Sequence, residues 1–243
     1  MSNLGKTLVL YVFHEVNNRV LTFFDKALFK DDNVDFVVIC NNRDIKLNLP
    51  DYVKVVIRDN KGFDFGGWSE GLLSNDLYKN YDYFIFVNSS VLGPFLPSYY
   101  KGKWTDIFID GLVDDVKLYG ITINCERDPI FKTHIQSYLF SMDKETLEFL
   151  IKNGIFDMNI LIKTYDELVE NKEVLMSRLI IERGWNIGCL CDYYKEVDFR
   201  FKDKQPKDYD INYIADLMYP KYRNIFWNEY QLVFIKGNRF GIE

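Results

Sequence analysis

The first half of the chain is punctuated by short apolar runs. Thr7–Phe13 (TLVLYVF), Val34–Cys40 (VDFVVIC) and Val53–Ile57 (VKVVI) are each bounded by polar residues. Continuous apolar runs of this length, without polar alternation, predict parallel strands, most of them buried on both faces. Each one ends in polar residues: His14-Glu15, Asn41-Asn42 and Arg58-Asp59-Asn60. Between the first two, residues 17–29 carry Val20, Leu21, Phe24 and Leu28 on one helical face. Three strands with helical or loop connections between them give the βαβ pattern, with right-handed crossovers.

The densest stretch runs from Asp59 to Phe95, DNKGFDFGGWSEGLLSNDLYKNYDYFIFVNSSVLGPF. It predicts a glycine-rich loop over Gly62 to Gly67 with Asp64 inside it, then a helix over 67–78. A fourth strand follows, from Tyr83 to Val87, and it stops abruptly at Asn88-Ser89-Ser90. In open α/β sheets ligands bind at the carboxyl ends of the strands, so the site is expected at these polar exits. The glycine loop is neither a G-x-G-x-x-G fingerprint nor a phosphate loop, since GK[ST] is missing. Its glycines would let the backbone approach a ligand, and Asp64 would accept from a ribose or sugar hydroxyl. A plain tight turn before the helix is the simpler alternative.

The second half is less regular. Residues 104–112 predict a helix with Trp104, Ile107, Phe108 and Leu112 inward. Residues 116–125 and 134–142 predict strands, 144–155 an amphipathic helix, and 166–183 a long helix stopped by Gly184. A last strand covers 187–192. From Val197 the apolar residues no longer repeat cleanly. The expectation is one domain over 1–195 and an extension over 196–243 that packs on the acceptor side of that domain and contributes lid residues.

Composition narrows the function classes. The chain has 243 residues, 48 % of them hydrophobic, which suits one core of ordinary size. A net charge of -6 argues against a nucleic-acid partner, since phosphate-backbone binding needs a basic excess. The 17 Tyr and 20 Phe fill a core, with some Tyr and Trp available to stack on sugar rings. Four cysteines without C-x-x-C spacing read as buried free thiols of a reducing compartment. The N-terminus lacks a secretory leader and no run reaches the ~20 apolar residues of a spanning helix. A cytoplasmic protein is expected.

The order of motifs in the Asp59–Phe95 stretch resembles the first half of a GT-A glycosyltransferase. The segments Asn60 to Trp68 and Asn88 to Phe95 also resemble a branch near the rhamnan-synthesis type of polysaccharide glycosyltransferases. The resemblance spans Thr7 to Leu190. It implies a Rossmann-like α/β fold with a mixed, mostly parallel sheet flanked by helices. It also implies transfer of a sugar from a nucleotide-sugar, UDP-linked by preference, to a glycan hydroxyl. A GT-A-like domain that binds nucleotide-sugar or glycan without chemistry is the alternative.

In that family the strand after the nucleotide-binding loop ends in Asp-x-Asp, which holds a divalent metal on the diphosphate. Here Asn88 and Ser90 occupy those positions. The implied cofactor is therefore Mn2+ or Mg2+ brought with the diphosphate, none held tightly by the protein. The donor-binding candidates are Phe13, His14, Asn41, Arg58, Asp64, Gly66, Gly67, Asn88, Ser89 and Ser90. In GT-A enzymes the point where His14 stands contacts the nucleobase; a helix residue with no ligand is the alternative. The family's inverting signature places an acidic pair before Leu-Ser-x-Arg-Leu and Gly-Trp. Aligning Ser177 and Gly184-Trp185 puts Glu173 at the position of the catalytic base, with Glu170 and Asp128 as the other candidates. The usual Glu-Asp pair is absent, and the spacing from Arg178 to Gly184 is one residue long. Asn124 and His134 are expected on the acceptor side, with His134 open as a metal ligand, an acceptor-hydroxyl partner or a surface residue.

Overall fold

The computed structural model describes residues 5–125, 132–159, 162–195, 197–201, 221–222 and 225–238. Strand β1 (Thr7–Phe13) leads to helix α1 (Asn18–Lys26), β2 (Val34–Cys40) and β3 (Val53–Ile57). Helix α2 (Phe63–Leu73) is followed by β4 (Tyr83–Asn88), the two-residue β5 (Val91–Leu92), α3 (Trp104–Asp110) and β6 (Val116–Gly120). Then come β7 (Ile123–Asn124), β8 (His134–Ile135), β9 (Leu139–Asp143), α4 (Lys144–Lys152), α5 (Tyr165–Leu168) and α6 (Leu175–Glu182). The described chain closes with β10 (Asn186–Cys189), β11 (Lys221–Tyr222), β12 (Ile225–Phe226), α7 (Glu229–Leu232) and β13 (Ile235–Lys236).

Seven strands form the main sheet in the order β10-β6-β9-β4-β1-β2-β3. Strands β1 to β4 are mutually parallel, as are β6 and β10, and β9 alone runs against its neighbours β4 and β6. The fold is α/β with a mixed, mostly parallel sheet. Every residue of β1 is buried, whereas the edge strand β3 buries only Val53 fully. The chain order reverses between β1 and β4, with β2 and β3 on one side and β4 on the other. That reversal opens a crevice at the carboxyl ends of the strands.

Helix α1 starts where Asn17 caps it, its Oδ1 accepting from the Val20 N–H at 3.1 Å. It buries Val20 and Phe23. On the other face, α2 drives Phe65, Trp68 and Leu72 into the sheet. Trp68 meets Phe65, Phe86 and Phe140 edge-on, while Phe86 stacks on Phe140 and Phe156 at 4.8 and 4.9 Å. A buried ring of this size contributes ~1.5–3 kcal/mol, so this cluster fixes α2 on the sheet.

The structure corrects the reading of Gly62 to Gly67 as a loop. The helix begins at Phe63, and Gly66 and Gly67 lie inside it. Burial explains the difference: a Cβ on Gly67 would press on Val12 and Ile39, and one on Gly71 on Ile39 and Leu10. Glycine at these positions lets the helix approach the sheet. The expected strands over 116–125 and 134–142 each break into two, over residues 121–122 and 136–138. The long helix is observed from Tyr165 to Glu182, but a π-helical segment, Val169–Val174, interrupts it.

The C-terminal segment is part of the core. Strand β13 pairs with β5, and Phe234, fully buried, packs on Trp104, Phe23 and Phe108. Trp227 donates its indole N–H to Cys191 Sγ at 2.8 Å. All four cysteines are free and buried. Among the described residues no helix is long and apolar enough to cross a membrane.

Candidate functional site

The turn that delivers Asp64 is tightly held. Gly62 has φ 71°, which glycine adopts freely, but Phe63 follows at φ 52°. A bulky residue in the left-handed region costs ~1–3 kcal/mol and persists only where the surroundings enforce it. Here the Asn41 Nδ2 donates to the Phe63 carbonyl at 3.1 Å and to Asn60 Oδ1 at 3.3 Å. Arg58 donates from Nη2 to the Lys61 carbonyl, from Nη1 to Asn41 Oδ1 and from Nε to Glu70 Oε2, at 2.8, 2.7 and 2.7 Å. Arg58 is buried with each of these nitrogens committed to the protein. It holds the turn that carries Asp64.

Gly66 belongs to the same turn, since a Cβ there would collide with the Lys61 carbonyl oxygen and crowd Arg58 Nη2. Backbone cannot yield as a flexible side chain can. Gly66→Ala is therefore expected to lose ~1–3 kcal/mol, read as a lower denaturant midpoint at unchanged slope.

Asp64 stands in the first turn of α2, half-buried. Its Oδ2 accepts from Asn88 Nδ2 at 2.9 Å. Asn88 ends β4, and its Oδ1 accepts from the Ser90 N–H at 2.9 Å. Its own N–H donates to the Tyr138 carbonyl at 3.0 Å. Because β9 runs opposite to β4, the start of β9 lies beside the end of β4. That places Ser137 and Tyr138 at the same edge as Asn88.

Glu173 reaches this edge from the π-helical segment. Its Oε1 accepts from the Ser137 N–H at 2.5 Å. One turn on, Ser177 Oγ accepts from the Ile135 N–H at 3.1 Å, so the helix holds the β8–β9 connection at two points. Lys172, next to Glu173, is buried and donates from Nζ to the Gly154 carbonyl at 2.6 Å. Burial pushes its pKa down, partly offset by Asp157. A π-turn adds a residue within a helix and recurs at functional sites. Here it accommodates Lys172 inward beside Glu173.

Burial raises the Asp64 pKa from 3.8 to about 6, moderated by the hydrogen bond from Asn88 and pushed further by the negative charge of Glu173. The charge of Glu173 is thus felt at Asp64, on the carboxyl edge where the chain order reverses. They are the two carboxylates that the fold brings together here.

The other expected residues fall elsewhere. His14 is exposed just past β1, with its Nδ1–H donated to the Asn41 carbonyl at 2.8 Å. Phe13 is buried against Phe24 and Tyr11 and offers no open face to a base. Glu170 is exposed and pairs with Lys132 at 3.9 Å. His134 and Asn124 are buried and approach each other at 3.4 Å, with His134 Nδ1–H donated to the Lys132 carbonyl. The antiparallel pairing of β7 with β8 sets Asn124 opposite His134. Asp128 lies outside the described residues.

Ser137 and Tyr138, which bond Glu173 and Asn88 through their backbone, are neighbours of the candidate site that sequence reasoning missed. They lie in what reads as an unbroken strand, and the break over residues 136–138 sets them beside the end of β4.

The turn itself, Asn88-Ser89-Ser90, carries no carboxylate. The Asn88 oxygen accepts from the Ser90 N–H and its NH2 donates to Asp64, the charged neighbour of the turn. Hard divalent ions need several oxygen ligands, usually with more negative charge. Among the described residues no group of three or more His, Cys, Asp or Glu is arranged for a metal.

A family model described as rhamnan synthesis protein F matches residues 36–229, most of the chain. A search of curated proteins finds no match. Among solved structures, the mannosyltransferase PcManGT from Pyrobaculum calidifontis, in complex with GDP-Man and Mn2+, aligns with a TM-score of 0.48 at 9% identity. The alignment covers 77% of this chain and 55% of that one, so this chain spans about half the length of the mannosyltransferase.

Proposed function

The chain belongs to the rhamnan synthesis protein F family, and from that membership we propose that it is a glycosyltransferase. The donor is a nucleoside-diphosphate sugar, UDP-linked by preference, carrying a hexose or deoxyhexose, and the acceptor is a glycan hydroxyl. The observation that carries this reading is the meeting of Asp64, Asn88 and Glu173 at the carboxyl edge where the sheet reverses. Two carboxylates in a crevice, one with a strongly raised pKa, are the mark of a site rather than of a solvated surface.

In the reaction, the acceptor oxygen forms a bond to the anomeric carbon as the bond from that carbon to the diphosphate breaks. The diphosphate leaves with the electron pair, and the acceptor proton passes to a carboxylate. Glu173 takes that proton. Its Oε1 is steadied by the Ser137 N–H, which leaves the second oxygen for the incoming hydroxyl. Attack opposite the leaving group inverts the anomeric configuration. Asp64, fixed by Asn88, accepts from a donor hydroxyl. Asn41 and Arg58 hold the turn that positions it. The four buried thiols fit a reducing, cytoplasmic setting.

The test is a thermal-shift panel of UDP-, GDP- and dTDP-sugars on the full chain, with and without Mn2+ or Mg2+. A ligand that binds only the folded state raises the melting temperature. The expected result is stabilisation by a UDP-sugar and no shift with either ion alone. A large shift with the ion alone would mean that the Asn88 turn holds metal by itself. No shift with any nucleotide-sugar would remove the donor from the account.

A further inference from the structure

Arg19 sits in the first turn of α1, at the exit of β1 and beside the sheet reversal. No acidic residue shares that turn. A cation there opposes the helix dipole, whose positive end favours an anion. Arg19 is nonetheless fixed in place. Its Nε donates to the Ser89 carbonyl at 3.2 Å, on the polar turn after β4. That bond is the one its guanidinium makes among the described residues, so the terminal nitrogens have no protein acceptor there.

Three further features surround it. The Tyr11 hydroxyl, on a fully buried side chain, has no hydrogen-bond partner. The charges of Arg19 and Asp64 both bear on it, in opposite senses. Gly237 brings its backbone against the Arg19 stem, where a Cβ would meet Cδ, and donates its N–H to the Ser90 carbonyl at 2.7 Å. The residue before it, Lys236, places its ammonium 5.7 Å from the Tyr138 ring centre. The turn that lacks acids is thus flanked by two cations, one from α1 and one from the C-terminal strand.

We propose that Arg19, held by the Ser89 carbonyl and supported by Lys236, binds the diphosphate of the donor and stabilises it as it leaves. This rests on the glycosyltransferase reading and assigns the cation of that site. A planar guanidinium with its outer nitrogens open matches two phosphate oxygens at once, which an ammonium cannot do. It supplies positive charge where the Asn88 turn supplies no metal-holding carboxylate. It also gives the C-terminal segment a part in the donor site, since Gly237 and Lys236 close the far side of Arg19.

The test is calorimetric titration of the full chain with UDP, with uridine monophosphate and with inorganic pyrophosphate. Arg19→Gln, Arg19→Lys and Lys236→Met are compared with the wild type, each first checked for an unchanged melting temperature. Wild type is expected to bind UDP and pyrophosphate. Arg19→Gln weakens both by tenfold or more, Arg19→Lys recovers only part of the loss, and uridine monophosphate changes less than UDP. Lys236→Met weakens UDP by a smaller factor. If wild type binds UDP and Arg19→Gln binds it equally, the assignment of Arg19 is overturned while the donor reading stands. If wild type binds none of the three, both are overturned.

Discussion

Replacing Glu173 by Gln is expected to leave donor binding near normal while transfer falls by about 10²-fold or more, the usual scale for loss of a general base. Gln keeps the shape and can still accept from the Ser137 N–H through its oxygen, but it cannot take the acceptor proton. A loss confined to the chemical step appears as an equal drop in kcat and kcat/KM. Glu170→Gln is the control: Glu170 is exposed and pairs with Lys132 on the surface, so transfer should persist at the wild-type rate. If the two variants exchange behaviours, the base is Glu170 and the helix alignment is one turn out.

The second large effect concerns Asp64, whose function and stability oppose each other. Its folded pKa is about 6 against 3.8 for the free side chain, chiefly through burial. Between those values the folded protein holds a proton that the unfolded chain releases. The favourable contribution of neutral Asp64 is therefore full below ~pH 4 and is lost as pH rises through about 6. At ~1.4 kcal/mol per pKa unit, ionised Asp64 costs ~2–3 kcal/mol at neutral pH.

Asp64→Asn removes that charge and keeps an oxygen for Asn88 Nδ2. It should raise the melting temperature by ~4–10 °C at pH 7 in a chain of this size, and by little at pH 4. The same variant should bind nucleotide-sugar more weakly, since the carboxylate that accepts from the donor is gone. Melting curves of both proteins across pH 4–8 check the sign: a gap that is largest at low pH would refute it. The negative charge of Glu173 also contributes to the raised pKa, so Glu173→Gln should lower the Asp64 midpoint.

The strands and their polar exits were legible because buried parallel strands leave continuous apolar runs that end where the sheet ends. The exits at Asn41, Arg58 and Asn88 followed directly. What those side chains do there was not legible. Arg58 reads as a donor-binding cation in sequence, and only its three protein acceptors reveal it as a fastener of the Phe63 turn. Gly66 and Gly67 were read as a loop because glycine weighs toward loops in any local reading. Their reason for being glycine is the sheet beneath them, which is a tertiary cause.

The π-helical segment around Glu173 leaves no periodic signal, since one added residue is invisible beside ordinary helix periodicity. It concerns the same helix in which the spacing to Gly184 departed by one residue from the family pattern. Arg19 carries no signal in the sequence that sets it apart. Its significance comes from Ser89 and Gly237, which are far along the chain and unpredictable neighbours in space. The burial of His134 and Asn124 was not legible either, because it follows from the pairing of two short strands that the sequence reads as parts of longer ones.

The central claim is that the donor binds at the carboxyl edge where β1 and β4 part. A crystal structure of the full chain soaked with UDP tests it most directly. The account predicts the diphosphate between Arg19 and the Asn88–Ser90 turn, with Asp64 facing the ribose or sugar side. A nucleotide at the opposite edge of the strands, away from Asp64 and Glu173, would contradict it.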